Sequence, residues 1–324
     1  MKTFLGIDVG AVSTDLVLLD EYNNVVSDVY LRTQGQPIKM IKKGLSMIKE
    51  QNHGISLEVI GVGTTGSGRV LAGAMAGADV VKNEITAHAV AALYINPQVR
   101  TIFEIGGQDS KIIILQNGVV VDFAMNTICA AGTGSFLDHQ AFRLGIPIEE
   151  FGDYALKANS SVRIAGRCTV FAESDMVHKQ QMGYKEEEII AGLCEAMVRN
   201  YLNNVGKGKK IAPPIFFQGG VAANSGIKRS FGKETGHEII VPEYYRVMGA
   251  IGAALLAKEE MEQNPHQSAF YGFELIDRDY QTSGFECDGC PNHCEVIEIK
   301  VDGEIIARWG DRCSKWSLGY QAIR

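Results

Sequence analysis

Apolar positions at the start of the chain form short runs broken by Gly, Asn and Asp; further on they take helical spacing. Residues 3–10, 14–20 and 25–30 read as three strands. The first is an apolar run ending in a glycine turn, and Asn23-Asn24 joins the second to the third. Consecutive strands with tight turns make an antiparallel meander. Residues 37–52 have the spacing of an amphipathic helix, and 57–62 read as a short strand. The pattern then returns. Residues 100–106 form a strand ending in Gly106-Gly107, and 110–116 and 119–125 are strands joined by the hairpin turn Asn117-Gly118. Each meander has an apolar strand, an acidic residue and a glycine turn. This approximate duplication predicts two related lobes around a cleft. Helices are expected over 134–145, 169–182 and 185–204, and a strand over 213–220 running into a Gly-Gly turn. An Ala/Gly-rich helix over 246–262 gives way to a linker over 259–268. Residues 269–324 have a different texture and are expected to form an appended module.

The expected domains are a first lobe of 1–85 plus 246–262, a second lobe of 86–245, and the Cys-rich segment 269–324. Composition fits that plan. The 324 residues are 46% hydrophobic and 21% charged, as in a soluble globular protein. A net charge of −7 disfavours a nonspecific nucleic-acid binder, so no nucleic-acid partner is expected. The N-terminal segment lacks the long apolar run and cleavage site of a signal peptide. No apolar run is long enough to span a membrane, so the expected location is cytoplasmic. Seven cysteines in a reducing compartment point to metal binding or catalysis before disulfides.

Asp8-Val9-Gly10-Ala11-Val12-Ser13-Thr14 places a carboxylate at a strand end, then a glycine and two hydroxyls in a tight turn. Such a hairpin offers backbone N–H groups and hydroxyls to phosphate oxygens, and the carboxylate can hold Mg²⁺ through water. The segment from Glu104 through Gly106, Gly107, Gln108, Asp109 and Ser110 to Lys111 offers the same chemistry from the second meander. Gln218-Gly219-Gly220-Val221-Ala222-Ala223-Asn224 lets backbone approach a flat ligand such as adenine. Each motif alone is also what an ordinary turn looks like. In this order and spacing they resemble the two phosphate motifs and the adenosine motif of the actin/Hsp70/sugar-kinase ATPases. There is no P-loop, and Gly63, Gly66 and Gly68 do not have dinucleotide-binding spacing.

Cys129 and Cys168 each stand just before a predicted helix. A helix N-terminus lowers a thiol pKa and favours anionic sulfur. The pair reads either as two core cysteines or as ligands of an iron–sulfur cluster. Two thiolates do not complete a four-thiolate cluster; a symmetric dimer presenting the same pair twice does. The Asp8 hairpin, Glu104–Lys111, both cysteine segments and Gln218–Val221 together resemble the ATP-dependent activators of 2-hydroxyacyl-CoA dehydratases. Benzoyl-CoA reductase ATPase subunits and double-cubane-cluster reductases belong to the same family. The resemblance covers about residues 1–260.

It implies an α/β, two-lobed actin/Hsp70/sugar-kinase (ribonuclease H-like) fold. It also implies an oxygen-sensitive homodimer with one [4Fe–4S] cluster bridged by Cys129 and Cys168 of both chains. The electron would come from ferredoxin or flavodoxin and pass to an iron–sulfur dehydratase or reductase, with Mg²⁺ and ATP turning over to ADP. By position, Asp8 and Asp109 would be the Mg²⁺/water carboxylates and Gln108 a further catalytic group. Gly10, Ser13, Thr14, Gly106, Gly107 and Gln108 would line the phosphates, and Gly219, Gly220 and Asn224 the nucleoside. Lys111 either contacts phosphate or is a strand-borne surface lysine. Glu84 and His88, one helical turn apart, either line the cleft or pair on a helix surface. Cys194 reads as core.

Cys287, Cys290, Cys294 and the distant Cys313 form a C-x₂-C-x₃-C knuckle with a fourth cysteine. That pattern fits tetrahedral Zn²⁺ or a second iron–sulfur cluster. The competing functions are a sugar or N-acetylglucosamine-type kinase, which needs a base in the cleft, and a non-redox ATP-binding regulatory protein.

Overall fold

The computed structural model describes residues 1–126, 128–166 and 168–317. Thr127 and Arg167, which belong to the two cysteine segments, lie outside the described residues, as does the end of the C-terminal segment. The chain forms two compact units, Met1–Ala91 with Gly249–Arg324, and Ala92–Met248.

The first unit opens with the expected meander, β1 (Lys2–Val9), β2 (Ser13–Asp20) and β3 (Val25–Arg32). The helix α1 (Pro37–Gln51) follows, then β4 (Glu58–Thr65), α2 (Arg69–Ala76), β5 (Val80–Val81) and α3 (Glu84–Ile95). The sheet order is β3-β2-β1-β4-β5, with β1 antiparallel to β2 and parallel to β4. Its core gathers Leu5, Ile7, Leu16 and Leu18 against Ile41, Leu45 and Ile48 of α1.

The second unit repeats the plan with β6 (Thr101–Ile105), β7 (Ser110–Gln116) and β8 (Val119–Asn126). Asn117 and Gly118, with φ of 53° and 75°, form the predicted tight turn. There follow α4 (Gly134–Leu144), α5 (Ile148–Lys157), α6 (Thr169–Gln181), α7 (Glu186–Asn204), β9 (Ile215–Gln218), α8 (Ser225–Thr235) and β10 (Ile239–Ile240). The order β10-β9-β6-β7-β8 is that of the first sheet read backwards. Phe103, Tyr201, Phe217 and Phe231 form an aromatic nucleus, with Phe103 and Phe231 stacked at 4.7 Å. A five-stranded sheet of this order, present twice, is the ribonuclease H-like plan of the actin/Hsp70/sugar-kinase fold.

The Ala/Gly-rich segment is α9 (Met248–Gln263). A Cβ on Gly6 or Gly63 would overlap the carbonyl of Ala250 or Ala253, so this helix packs backbone to backbone on β1 and β4. The expected linker begins too early. Helix α9 runs through Glu259 and Glu260 to Gln263, its last turns braced by Gln263 on Glu259 (3.0 Å) and Asn264 on Glu260 (2.9 Å).

The chain ends in an antiparallel sheet of β11 (Tyr280–Glu286), β12 (Glu295–Val301) and β13 (Glu304–Trp309). These residues are part of the first unit rather than a body of their own. Leu275, Tyr280, Ile299 and Val301 join the core of that unit, and the buried Asp79 accepts from Ser268 (2.7 Å) and the Ala269 N–H (2.9 Å). Among the described residues no helix is long and apolar enough to cross a membrane.

Candidate functional site

In the first unit, Asp8 stands near the end of β1, half-buried, with Thr65 opposite it on the parallel neighbour β4. Two glycines close around its carboxylate. A Cβ on Gly66 (φ +86°) would overlap Oδ1, and one on Gly249 would overlap Oδ2. The same Cβ on Gly249 would lie 3.4 Å from His88 Nε2, which brings the buried His88 to Asp8. Glu84 turns instead to Arg69, at 3.7 Å. The hydroxyl of Thr65 is buried with no hydrogen-bond partner among the described residues.

The hairpin after β1 is closed by Gly10 N–H on Ser13 O (2.8 Å). Ser13 Oγ donates to Asp15 (3.1 Å), and the buried Thr14 hydroxyl meets that of Thr33 (2.9 Å). Thr14 therefore braces the hairpin from behind.

In the second unit, Lys111 is buried at 4% exposure, with Nζ 3.0 Å from Glu104 and 2.9 Å from Asp109. Burial opposes the ammonium charge, but the two carboxylates overcome it and hold the Lys111 pKa above its ordinary value. Tyr201 donates to the Lys111 carbonyl at 2.6 Å. The Gly106-Gly107 turn is tied forward to α4. Gly134 N–H donates to Gly106 O (2.9 Å), and Ser135 donates to Gly107 O from both N–H (2.8 Å) and Oγ (2.6 Å). Gln108 is exposed.

Gly219, at φ +87°, lies so close to Ile105 O and Glu104 Oε1 that a Cβ would come within 2.5 and 2.6 Å of them. Gly220 opens the short turn that leads to Asn224. Asn224 caps α8 by accepting from Ile227 N–H (3.0 Å), while its buried Nδ2 has no hydrogen-bond partner among the described residues. In the first unit, the cradle that a Cβ would fill around Asp8 and the Thr65 hydroxyl beside it fit hydrated Mg²⁺. In the second unit, taken by itself, the buried Asn224 Nδ2 fits a polar edge of a nucleoside.

Cys168 is the N-cap of α6, and Cys129 that of the 3₁₀ turn Ala130–Gly132 immediately before α4. Both thiols are partly exposed and outside any disulfide. The two helices are joined by Glu173, which pairs with Arg143 (2.6 Å) and His139 (3.6 Å). Apolar side chains stand out around the cysteines: Ile128 is 96% exposed, and Val170 and Phe171 about two-thirds. Two partly exposed thiols outside any disulfide are a donor set that fits half of a [4Fe–4S] cluster.

Cys194 is fully buried on α7, and burial pushes its thiol up to about 12. In folded, iron-free protein it is expected to stay unlabelled by iodoacetamide at pH 8 while the partly exposed Cys129 and Cys168 react, as mass spectrometry would record; labelling of Cys194 as fast as Cys129 would refute its core role.

The four C-terminal cysteines differ in exposure. Cys287 is buried; the Gly289 N–H and the Trp316 indole (3.2 Å) hold its thiol below the usual range. Cys290 and Cys313 are exposed, and Cys294 accepts the Cys287 N–H through its carbonyl (2.8 Å). Among the described residues no three His, Cys, Asp or Glu side chains are grouped to hold a metal ion.

Sequence reasoning passed over Thr65, Ser135 and the closeness of His88 to Asp8. Their only signal was adjacency to the motifs; burial and register decided the rest.

The chain is 33% identical over 265 residues to the 2-hydroxyisocaproyl-CoA dehydratase activator of Clostridioides difficile, covering 80% of this chain and 96% of that protein. It is 33% identical over 257 residues to the (R)-2-hydroxyglutaryl-CoA dehydratase activating ATPase of Acidaminococcus fermentans, covering 78% and 96%. The solved structure of the Clostridium difficile activator with bound ADPNP superposes with a TM-score of 0.74 at 32% identity, over 81% of this chain and 96% of that one. Residues 5–257 match the BadF/BadG/BcrA/BcrD ATPase family, and the chain belongs to it.

Proposed function

We propose that this protein is an ATP-driven activator that hands a low-potential electron to an iron–sulfur dehydratase or reductase. One observation carries the reading. The helix start that follows Cys129 is hydrogen-bonded to the Gly106-Gly107 turn, which supports a direct mechanical link between a turn that would face phosphate and a segment that would carry a cluster ligand. The named relatives are activators of dehydratases, which supports this over a kinase.

In the first unit, Asp8 is the carboxylate that holds Mg²⁺ through water, and Gly10 and Ser13 offer the hairpin to phosphate, with Thr14 behind them. In the second unit, Asp109 is the other carboxylate. Lys111 acts through Asp109 by fixing its position, and Gly106, Gly107 and Gln108 face phosphate. Gly219, Gly220 and Asn224 receive the nucleoside. When bound, Mg²⁺ offsets phosphate charge. Cys129 and Cys168 of two copies would hold the [4Fe–4S] cluster, which supplies one-electron chemistry at low potential when bound. The exposed Ile128, Val170 and Phe171 would be covered in that homodimer. Ferredoxin or flavodoxin is the proposed donor.

The experiment is iron and acid-labile sulfide on anaerobically purified protein, with the visible spectrum followed through dithionite and air. About four iron and four sulfide per dimer are expected, lost in Cys129→Ala and in Cys168→Ala. Iron beyond four would point to Cys287, Cys290, Cys294 and Cys313 as a second site. A colourless, iron-free wild type that still binds ATP would overturn the redox reading.

A further inference from the structure

Two buried amides meet between the cysteine segments. Asn200, on α7, is 4% exposed. Its Nδ2 donates a short hydrogen bond to the carbonyl of Gly166, two residues before Cys168. Its Oδ1 accepts from Asn204 (2.8 Å). Gly166 is pressed against α7, where a Cβ would come 2.7 Å from Ala196 O.

On its other side Asn200 faces Gly132, three residues after Cys129. A Cβ on Gly132 would lie 2.9 Å from Asn200 Oδ1 and 3.3 Å from Asn126 Nδ2. Asn126 in turn closes the Cys129 turn. Its Oδ1 accepts from the N–H of Cys129 (2.9 Å) and of Ile128 (3.3 Å), and its Nδ2 donates to Cys129 O (2.8 Å). One amide thus clamps each cysteine segment, and the two amides abut across a single glycine.

We infer that Asn126 and Asn200 are positioning residues that join the Cys129 turn and the approach to Cys168 into one preformed template. Its purpose, presenting two thiols together, rests on the cluster reading above; its existence does not. The two segments are far apart in sequence and would otherwise be ordered separately. Each copy supplies two ligands, so independent motion of the segments would add an ordering cost for each. Neutral amides do this without placing a charge beside an anionic cluster. Only glycine at position 132 leaves room for the contact.

The test is amide hydrogen exchange on iron-free protein, read for segments 128–133 and 164–166. Asn200→Leu should speed exchange about tenfold in its own segment, 164–166, and also in 128–133, the scale of one lost buried hydrogen bond. Gly132→Ala should do the reverse, loosening 164–166 from the Cys129 side. Slow exchange in β6 and β7 would certify that each variant is folded. If Asn200→Leu does not fold, Gly132→Ala and Asn126→Asp, which keeps the acceptor and loses the donor, carry the test. Effects confined to the mutated segment would overturn the template.

The readout needs no iron, so it separates from the reading beneath it. Reciprocal loosening in a protein that never holds iron would retire the cluster and keep the template. Four iron per dimer with segment-confined effects would do the opposite. In loaded protein, Asn200→Leu should also release iron to a ferrous chelator about tenfold faster.

Discussion

Asp8→Asn is expected to lower ATP turnover by about 10²- to 10³-fold, the usual scale for removing one preorganised electrostatic group. The substitution keeps the shape of the side chain and removes its charge. It is therefore expected to leave the fold of the first unit intact, since the glycines around Asp8 already accept a group of that size. The defect should show as a raised Mg²⁺ requirement in a phosphate-release assay. Gly249→Ala offers an independent check, because its Cβ would overlap Asp8 Oδ2 and displace the carboxylate without changing its charge. If Asp8→Asn turns over ATP within threefold of wild type, Asp8 is not the metal-holding carboxylate.

Lys111→Met is expected to cost about 3–5 kcal/mol of stability, since it leaves Glu104 as a buried carboxylate without its cation. Glu104 and Lys111 are each 4% exposed, so solvent screens little of the loss. Replacing both together, Glu104→Leu with Lys111→Met, should recover most of the deficit, because two apolar groups of similar volume need no charge partner. Urea unfolding of the two single variants and the double gives the coupling. A cost below about 1 kcal/mol for Lys111→Met would show that the pair is not buried as a charged unit.

The pH dependence follows from the direction of the shift. The folded pKa of Lys111 is raised above its ordinary 10.5. The stabilisation is then fully present below the unfolded value and is lost as pH rises through the folded value. The stabilisation that Lys111 itself draws from the pair should therefore be undiminished in wild type from pH 6 to pH 9, as urea unfolding at each pH would record.

The sequence by itself determined the two meanders, their turns and the place of the motifs. Those depend on neighbours a few residues apart: an apolar run, Asn117-Gly118 at positive φ, a glycine after an acidic strand end. The repeat in the pattern became a repeat in sheet order because strands of the same pattern pair in the same way. It also placed Cys129 and Cys168 at helix starts, since the helical period begins just after each.

What only the tertiary structure decided depends on residues distant in sequence. Lys111, which from pattern alone could face phosphate or solvent, is held by Glu104 and Asp109 because β6 and β7 pair Glu104 directly with Lys111. Asp8 and His88 both border Gly249 of α9, a juxtaposition of three distant positions that has no local signature. The C-terminal sheet joined the first unit because Leu275, Tyr280, Ile299 and Val301 found apolar surface there, which texture along a chain does not reveal. Asn200 was invisible for the same reason. A lone amide in a helical pattern reads as a polar interruption, and only the packing of α7 against Gly166 and Gly132 gives it a partner on each side.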